Sequence, residues 1–99
     1  MLKITQTRIN LALASEKAGK ELVAAIGSRT ALTKATHKRL VVALTSEKLA
    51  KEIEACIISG AALKADTQKA CLVTLGGYTA GNDFINAIQT VAPVKPVKL

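Results

Sequence analysis

Arg39-Leu-Val-Val-Ala-Leu-Thr-Ser-Glu-Lys-Leu-Ala-Lys-Glu-Ile-Glu-Ala-Cys-Ile-Ile-Ser59 decides the fold, because the chain carries versions of it on both sides. Moved back by 31 positions, it falls on Arg8-Ile-Asn-Leu-Ala-Leu-Ala-Ser-Glu-Lys-Ala-Gly-Lys-Glu-Leu-Val-Ala-Ala-Ile26, and about half of the aligned pairs are identical. Arg8 matches Arg39, Ser15-Glu16-Lys17 matches Ser46-Glu47-Lys48, Lys20-Glu21 matches Lys51-Glu52, and Ile26 matches Ile57. Moved forward by the same step the likeness weakens: Thr67-Gln68 repeats Thr5-Gln6, Ala80-Gly81 repeats Ala18-Gly19, and Ala87-Ile88 repeats Ala25-Ile26. The chain therefore divides into three units near 3–33, 34–64 and 65–95. We expect one repeat domain over 1–92 and an extended tail over 93–99, where Pro93 and Pro96 block a helix.

The second half of each unit reads as an amphipathic helix. Ala18, Leu22, Ala25 and Ile26 share one face, as do Leu49, Ile53, Cys56 and Ile57, and Ala80, Phe84, Ala87 and Ile88. Ser15 and Ser46 stand as N-caps, each followed by a glutamate that complements the helix dipole. Gly27 and Gly60 are the expected stops. Glu16 with Lys20, and Glu47 with Lys51, are i,i+4 pairs on an outer face.

The first halves are harder, since Leu40–Leu44 and Cys71–Leu75 fit a short buried strand as well as a buried helix. Ala61–Ala70 is rich in helix formers and holds no turn signal, which favours a helix. In unit one Lys3, Gln6, Thr7 and Asn10 gather on one side of a helical wheel, with Ile4, Ile9, Leu11, Ala12 and Leu13 on the rest. The expected fold is all-α, three helical hairpins; three βα repeats are the alternative. On that wheel Arg8 and Arg39 fall near the centre of the apolar face, where an unpaired charge is expensive. Structural ion pairs to Glu21 and Glu52 are one expectation, and guanidinium groups snorkelling to the edge are the other.

Ninety-nine residues make one small domain, and 49% of them are apolar with a single Phe and a single Tyr, so the core must be built from small aliphatic side chains. No run is long enough to span a membrane, and the first residues lack the apolar stretch of a secretory signal. A cytoplasmic setting, or a virion assembled in the cytoplasm, is expected, with no secretion and no membrane partner. Cys56 and Cys71 occupy repeat positions otherwise held by Ala or by Ile and Leu, so both read as core residues; one His and two Cys offer no zinc spacing.

No catalytic, cofactor or metal site emerges, and an enzyme is not expected. Leu75–Asp83 precedes a helix but has no phosphate-loop fingerprint, and Gly81 sits where Gly19 and Ala50 sit, at a close-packing position. His37 aligns with Gln6 and Gln68 on the polar side, with no nucleophile beside it. Glu16, Glu21, Glu47, Glu52 and Glu54 lie among lysines and need no acid–base role.

The net charge of +7 is uneven: units one and two carry +3 each, unit three is neutral and Lys98 adds the rest. Lys34, Lys38, Arg39, Lys48 and Lys51 are candidate contacts to nucleic acid or an acidic partner, with Lys3, Arg8, Lys17 and Lys20 as their counterparts in unit one. The scarcity of aromatic residues argues against base stacking. Because the end units show no polar cap, an exposed apolar end-face covered by another subunit is expected. The leading reading is a structural or interaction protein within a homo- or hetero-oligomeric assembly, such as a small virion component; a phosphate-contacting nucleic-acid module is the alternative.

Overall fold

The computed structural model describes residues 2–89; the tail 93–99 lies outside them. The described residues form six helices and no strand: α1 Lys3–Ala12, α2 Glu16–Ser28, α3 Lys34–Leu44, α4 Glu47–Ser59, α5 Ala65–Thr74 and α6 Tyr78–Ile88. The βα alternative is thereby excluded for these residues. Helix starts at 3, 34 and 65, and at 16, 47 and 78, keep the 31-residue period.

Each hairpin is cut by the same local device. Ala14, Thr45 and Gly76, one period apart, all take the left-handed conformation, with φ of 57°, 54° and 73°. The next helix then begins, with the hydroxyls of Ser15 and Ser46 accepting from the N–H groups of Ala18 and Leu49 as the caps expected there. Gly60 stops α4 in the left-handed region, but Gly27 does not stop α2. That helix runs on to Ser28 and ends on Arg29, a non-glycine residue at φ 59°.

The even-numbered helices form the inside, where α2, α4 and α6 touch one another pairwise. Their side chains stack in repeat-related layers, Leu22 with Ile53 and Phe84, then Ile26 with Ile57 and Ile88, all buried. The odd helices lie outside and contribute Ile9, Leu40 and Cys71, then Leu13, Leu44 and Leu75. At Gly19 and Gly81 the helices of a hairpin come close enough that an added Cβ would stand 2.9 Å from the Cα of Asn10 or Leu72, so both are close-packing positions.

The units do not form an open stack. As α2 packs on α3 and α4 on α5, so α6 packs on α1, and the third unit closes onto the first. The apolar ends that the sequence left exposed are buried against each other. An open row of three repeats has two end-faces to cover; a closed ring has none.

The recurring acid at 21, 52 and 83 marks each junction. The hydroxyl of Thr36 donates to Glu21 Oε1, Lys64 N–H donates to Glu52 Oε2 at 2.9 Å, and Leu2 N–H donates to Asp83 Oδ2 at 2.7 Å. Each carboxylate of one unit thus meets the beginning of the next unit's outer helix, where free N–H groups and the dipole favour an anion. Neither α1 nor α5 has a side-chain cap of its own, so the cap comes from the neighbour. The Asp83 carboxyl is held below its ordinary value of 3.8: burial pushes it up, but the nearby Thr5 hydroxyl, which approaches without closing a hydrogen bond, and the Leu2 N–H outweigh burial. Thr5, Thr36 and Thr67 are buried one period apart; Thr5 and Thr67 do not close to hydrogen-bonding geometry.

Asp83 separates a ring from a stack. In an open row it would sit at a free end and its loss would be silent. Here Asp83→Ala is expected to cost about 1 kcal/mol as a lost cap, read as a lower midpoint in urea. A midpoint equal to that of the parent chain would refute closure.

Candidate functional site

The arginines do not form the ion pairs expected of them. Among the described residues the pairs within 4 Å are Glu16 with Lys20, Glu47 with Lys51, and Glu54 with His37; Arg8, Arg39, Glu21 and Glu52 are in none. Arg39 Nη1 donates to the carbonyls of Leu13 and Ala14 at 3.1 and 3.5 Å, at the end of the preceding unit's outer helix. Arg8 lies over Gly76, the same place one unit round, where an added Cβ would stand 2.8 Å from its Nη1. Both are exposed, because the buried stripe of the outer helices runs through Thr5, Ile9 and Leu13 rather than through position 8. Terminal carbonyls are natural acceptors for a cation at that edge. Unit three has Ala70 instead, and the Thr45 hydroxyl serves the Leu44 carbonyl at 2.6 Å.

No motif or repeat position singles out the remaining arginine, Arg29. From the end of α2 it donates through Nη1 to the carbonyls of Ile57 and Ile88, at 3.1 and 2.6 Å, and through Nη2 to Ala87 at 2.7 Å. One planar guanidinium joins the C-terminal ends of all three inner helices. Its repeat partner in unit two is Gly60, so the period gave no signal.

The candidate contact residues are brought together in part. Lys34 and Lys38 of α3 form one wall of an open groove and Lys51 of α4 lines the other, with Leu32, Ala35, His37 and Glu54. Lys38 and Arg39 border a second groove with Ala12–Ala14 and Val42. Arg39 and Lys17 of unit one border a third, along the α2–α3 junction. Lys17, Lys34, Lys38, Arg39 and Lys51 therefore share one face centred on α3. Lys48 lines none of these grooves, and neither do Lys3, Arg8 and Lys20. Of the unit-one counterparts only Lys17 lines a groove shared with the unit-two set, so the two sets add on one face in part.

His37 is half-buried rather than exposed. Its Nδ1 lies 3.0 Å from Glu54 Oε1, while Glu54 Oε2 accepts from Leu32 N–H at 3.0 Å. The carboxylate fixes the ring and the loop entering α3, but neither cysteine is near the lining of this groove. Cys71 is buried in the core and its thiol is pushed up to about 12, by burial first and the Glu52 charge second; Cys56 shifts the same way for the same reasons. Such thiols stay protonated and poorly nucleophilic at neutral pH. Among the described residues no group of three or more His, Cys, Asp or Glu side chains could share a metal, and the void lined by Leu22, Ile53 and Phe84 is only about 20 Å³. No helix among them is long and apolar enough to cross a membrane.

Fold and surface together define a closed ring of three helical hairpins carrying one basic face. Comparison with known proteins finds no family model, no curated protein and no solved structure that matches this chain.

Proposed function

We propose that the protein is a non-enzymatic interaction protein that works as a subunit of a larger assembly, a virion being one such setting. The observation that supports this reading is a set of three residues. Leu11, Val42 and Val73 stand one period apart near the ends of the three outer helices, and they are 70%, 73% and 80% exposed. Single exposed apolar residues need no explanation. A repeat that has diverged elsewhere on its surface, as in Lys3, Lys34 and Ala65 or Thr7, Lys38 and Lys69, has kept this position apolar in all three copies. Buried repeat positions stay apolar because packing demands it. Nothing inside this chain makes that demand at 11, 42 and 73, so contact with another surface accounts for it.

Sedimentation of the whole chain tests the reading. The parent protein is expected to sediment as an oligomer, and the triple variant Leu11→Ser, Val42→Ser, Val73→Ser as a monomer. Its thermal midpoint should move little, because exposed substitutions typically change stability by less than about 0.5 kcal/mol. A parent chain that remains a well-folded monomer at high concentration counts against the proposal.

A further inference from the structure

We infer that the face centred on α3 binds the phosphate backbone of nucleic acid, a function separate from the apolar contact proposed above. The argument begins with the acids. Glu21, Glu52 and Asp83 are engaged at the unit junctions, and Glu54 is held by His37 and Leu32 N–H. Glu16 and Glu47 are used in i,i+4 pairs, and Asp66 lies in the first turn of α5. All seven acidic residues of the chain are thereby accounted for, and among the described residues Lys17, Lys34 and Lys38 have no ion-pair partner. The net charge is consequently a surface property, and these three lysines share one face of that surface.

Shape points the same way. Lys34 and Lys38 lie one helical turn apart, about 6 Å along α3, and face Lys51 across an open groove, with Arg39 and Lys17 continuing the row over the α2–α3 junction. A row of lysines without ion-pair partners along one wall, facing Lys51, which also meets Glu47, suits a linear polyanion better than a single anion. Membrane adsorption would need bulky apolar anchors among the cations. Of the large exposed apolar residues only Val42 borders this face, while Leu11, Val73 and Tyr78 do not line its grooves. An acidic protein partner would be expected to meet a bulky aromatic anchor such as Trp or Tyr, and these grooves contain no Phe, Tyr or Trp. With no Phe, Tyr or Trp in the grooves and the His37 ring held by Glu54, base stacking is disfavoured, so contacts go to phosphates and are indifferent to sequence.

The experiment is titration of the full chain into a labelled DNA duplex over a salt series. Four to five phosphate contacts predict a log–log salt slope of roughly −3.6 to −4.5, about a hundredfold or more between 50 and 200 mM salt. The double variant Lys34→Glu, Lys38→Glu is expected to bind at least about tenfold more weakly, with Lys34→Gln, Lys38→Gln between it and the parent and shallower in slope by about 2. The control Lys3→Glu, Lys69→Glu, on the other two outer helices, should change binding by less than about threefold. Equal losses in both pairs would overturn the assignment to α3, as would no duplex binding at low salt. Binding to anionic vesicles or polyglutamate without binding to the duplex would overturn the choice of nucleic acid. Because the substituted lysines are exposed, a circular dichroism melt should match the parent; the glutamine pair supplies the result if the glutamate pair does not fold.

Discussion

Arg29→Ala is expected to lower stability by about 3 kcal/mol, because three charge-assisted hydrogen bonds are lost and three terminal carbonyls are left without their donor. For a domain of this size the melting midpoint should fall by about 12–24 °C. The three carbonyls belong to two different helices, and the arginine to a third, so the substitution loosens the whole C-terminal end of the inner trio. Arg29→Lys should recover only part of the loss, since an ammonium cannot reproduce the planar fork that reaches Ala87, Ile88 and Ile57 together. Thermal and urea melts followed by circular dichroism read both variants. A midpoint for Arg29→Ala within about 3 °C of the parent would show that the guanidinium is not a structural tie.

Gly81→Ala should also destabilise, against the usual helical preference for alanine. Alanine in a helix interior is favoured over glycine by about 1 kcal/mol. At Gly81, however, the added Cβ would meet backbone, 2.9 Å from Leu72 Cα, and would press on Leu72 Cδ2 at 2.5 Å. Backbone cannot turn aside as a side-chain tip can, so α5 and α6 must separate and the layer behind them reopens. We expect a net loss of about 2 kcal/mol, within the range for overpacked cores. Gly27→Ala provides the opposite sign: it lies inside α2 with nothing within 4 Å of the new methyl, and should gain about 0.5–1 kcal/mol. If the two substitutions shift stability in the same direction, close approach is not what selects glycine at 81.

Much of the fold was legible in the residues. Periodicity placed the inner helices, Ser15 and Ser46 marked their starts, and the repeat assigned Cys56 and Cys71 to the core. The outer helices were read less well. Ile4 and Leu11 fall on the apolar side of an idealised wheel but are exposed, whereas Thr5 and its repeats are buried. A wheel shows which residues share a face, not how wide a stripe the neighbouring helices cover. The outer helices bury a narrow stripe against the inner trio, with the junction carboxylates beside it, and a small β-hydroxyl fits there. The candidate site was legible as a list of lysines but not as a surface. Lys17 joined it from the neighbouring unit and Lys48 left it, which depends on the rotation between units.

That rotation marks the division. By itself the sequence determined the unit, its two helices, its caps and the equivalence of its copies, because these follow from contacts within about one helical turn or one hairpin. Equivalence also requires that each unit meet the next in a similar way, but it does not set the angle between them. A smaller turn per unit would have given an open superhelix with two apolar ends. The packing of Leu22, Ile53 and Phe84 among the inner helices, with α6 against α1, brings the third unit back to the first. Only the tertiary structure decided that closure, and with it the places of Arg29, Asp83 and the basic face, since each depends on side chains far apart in sequence meeting across the ring.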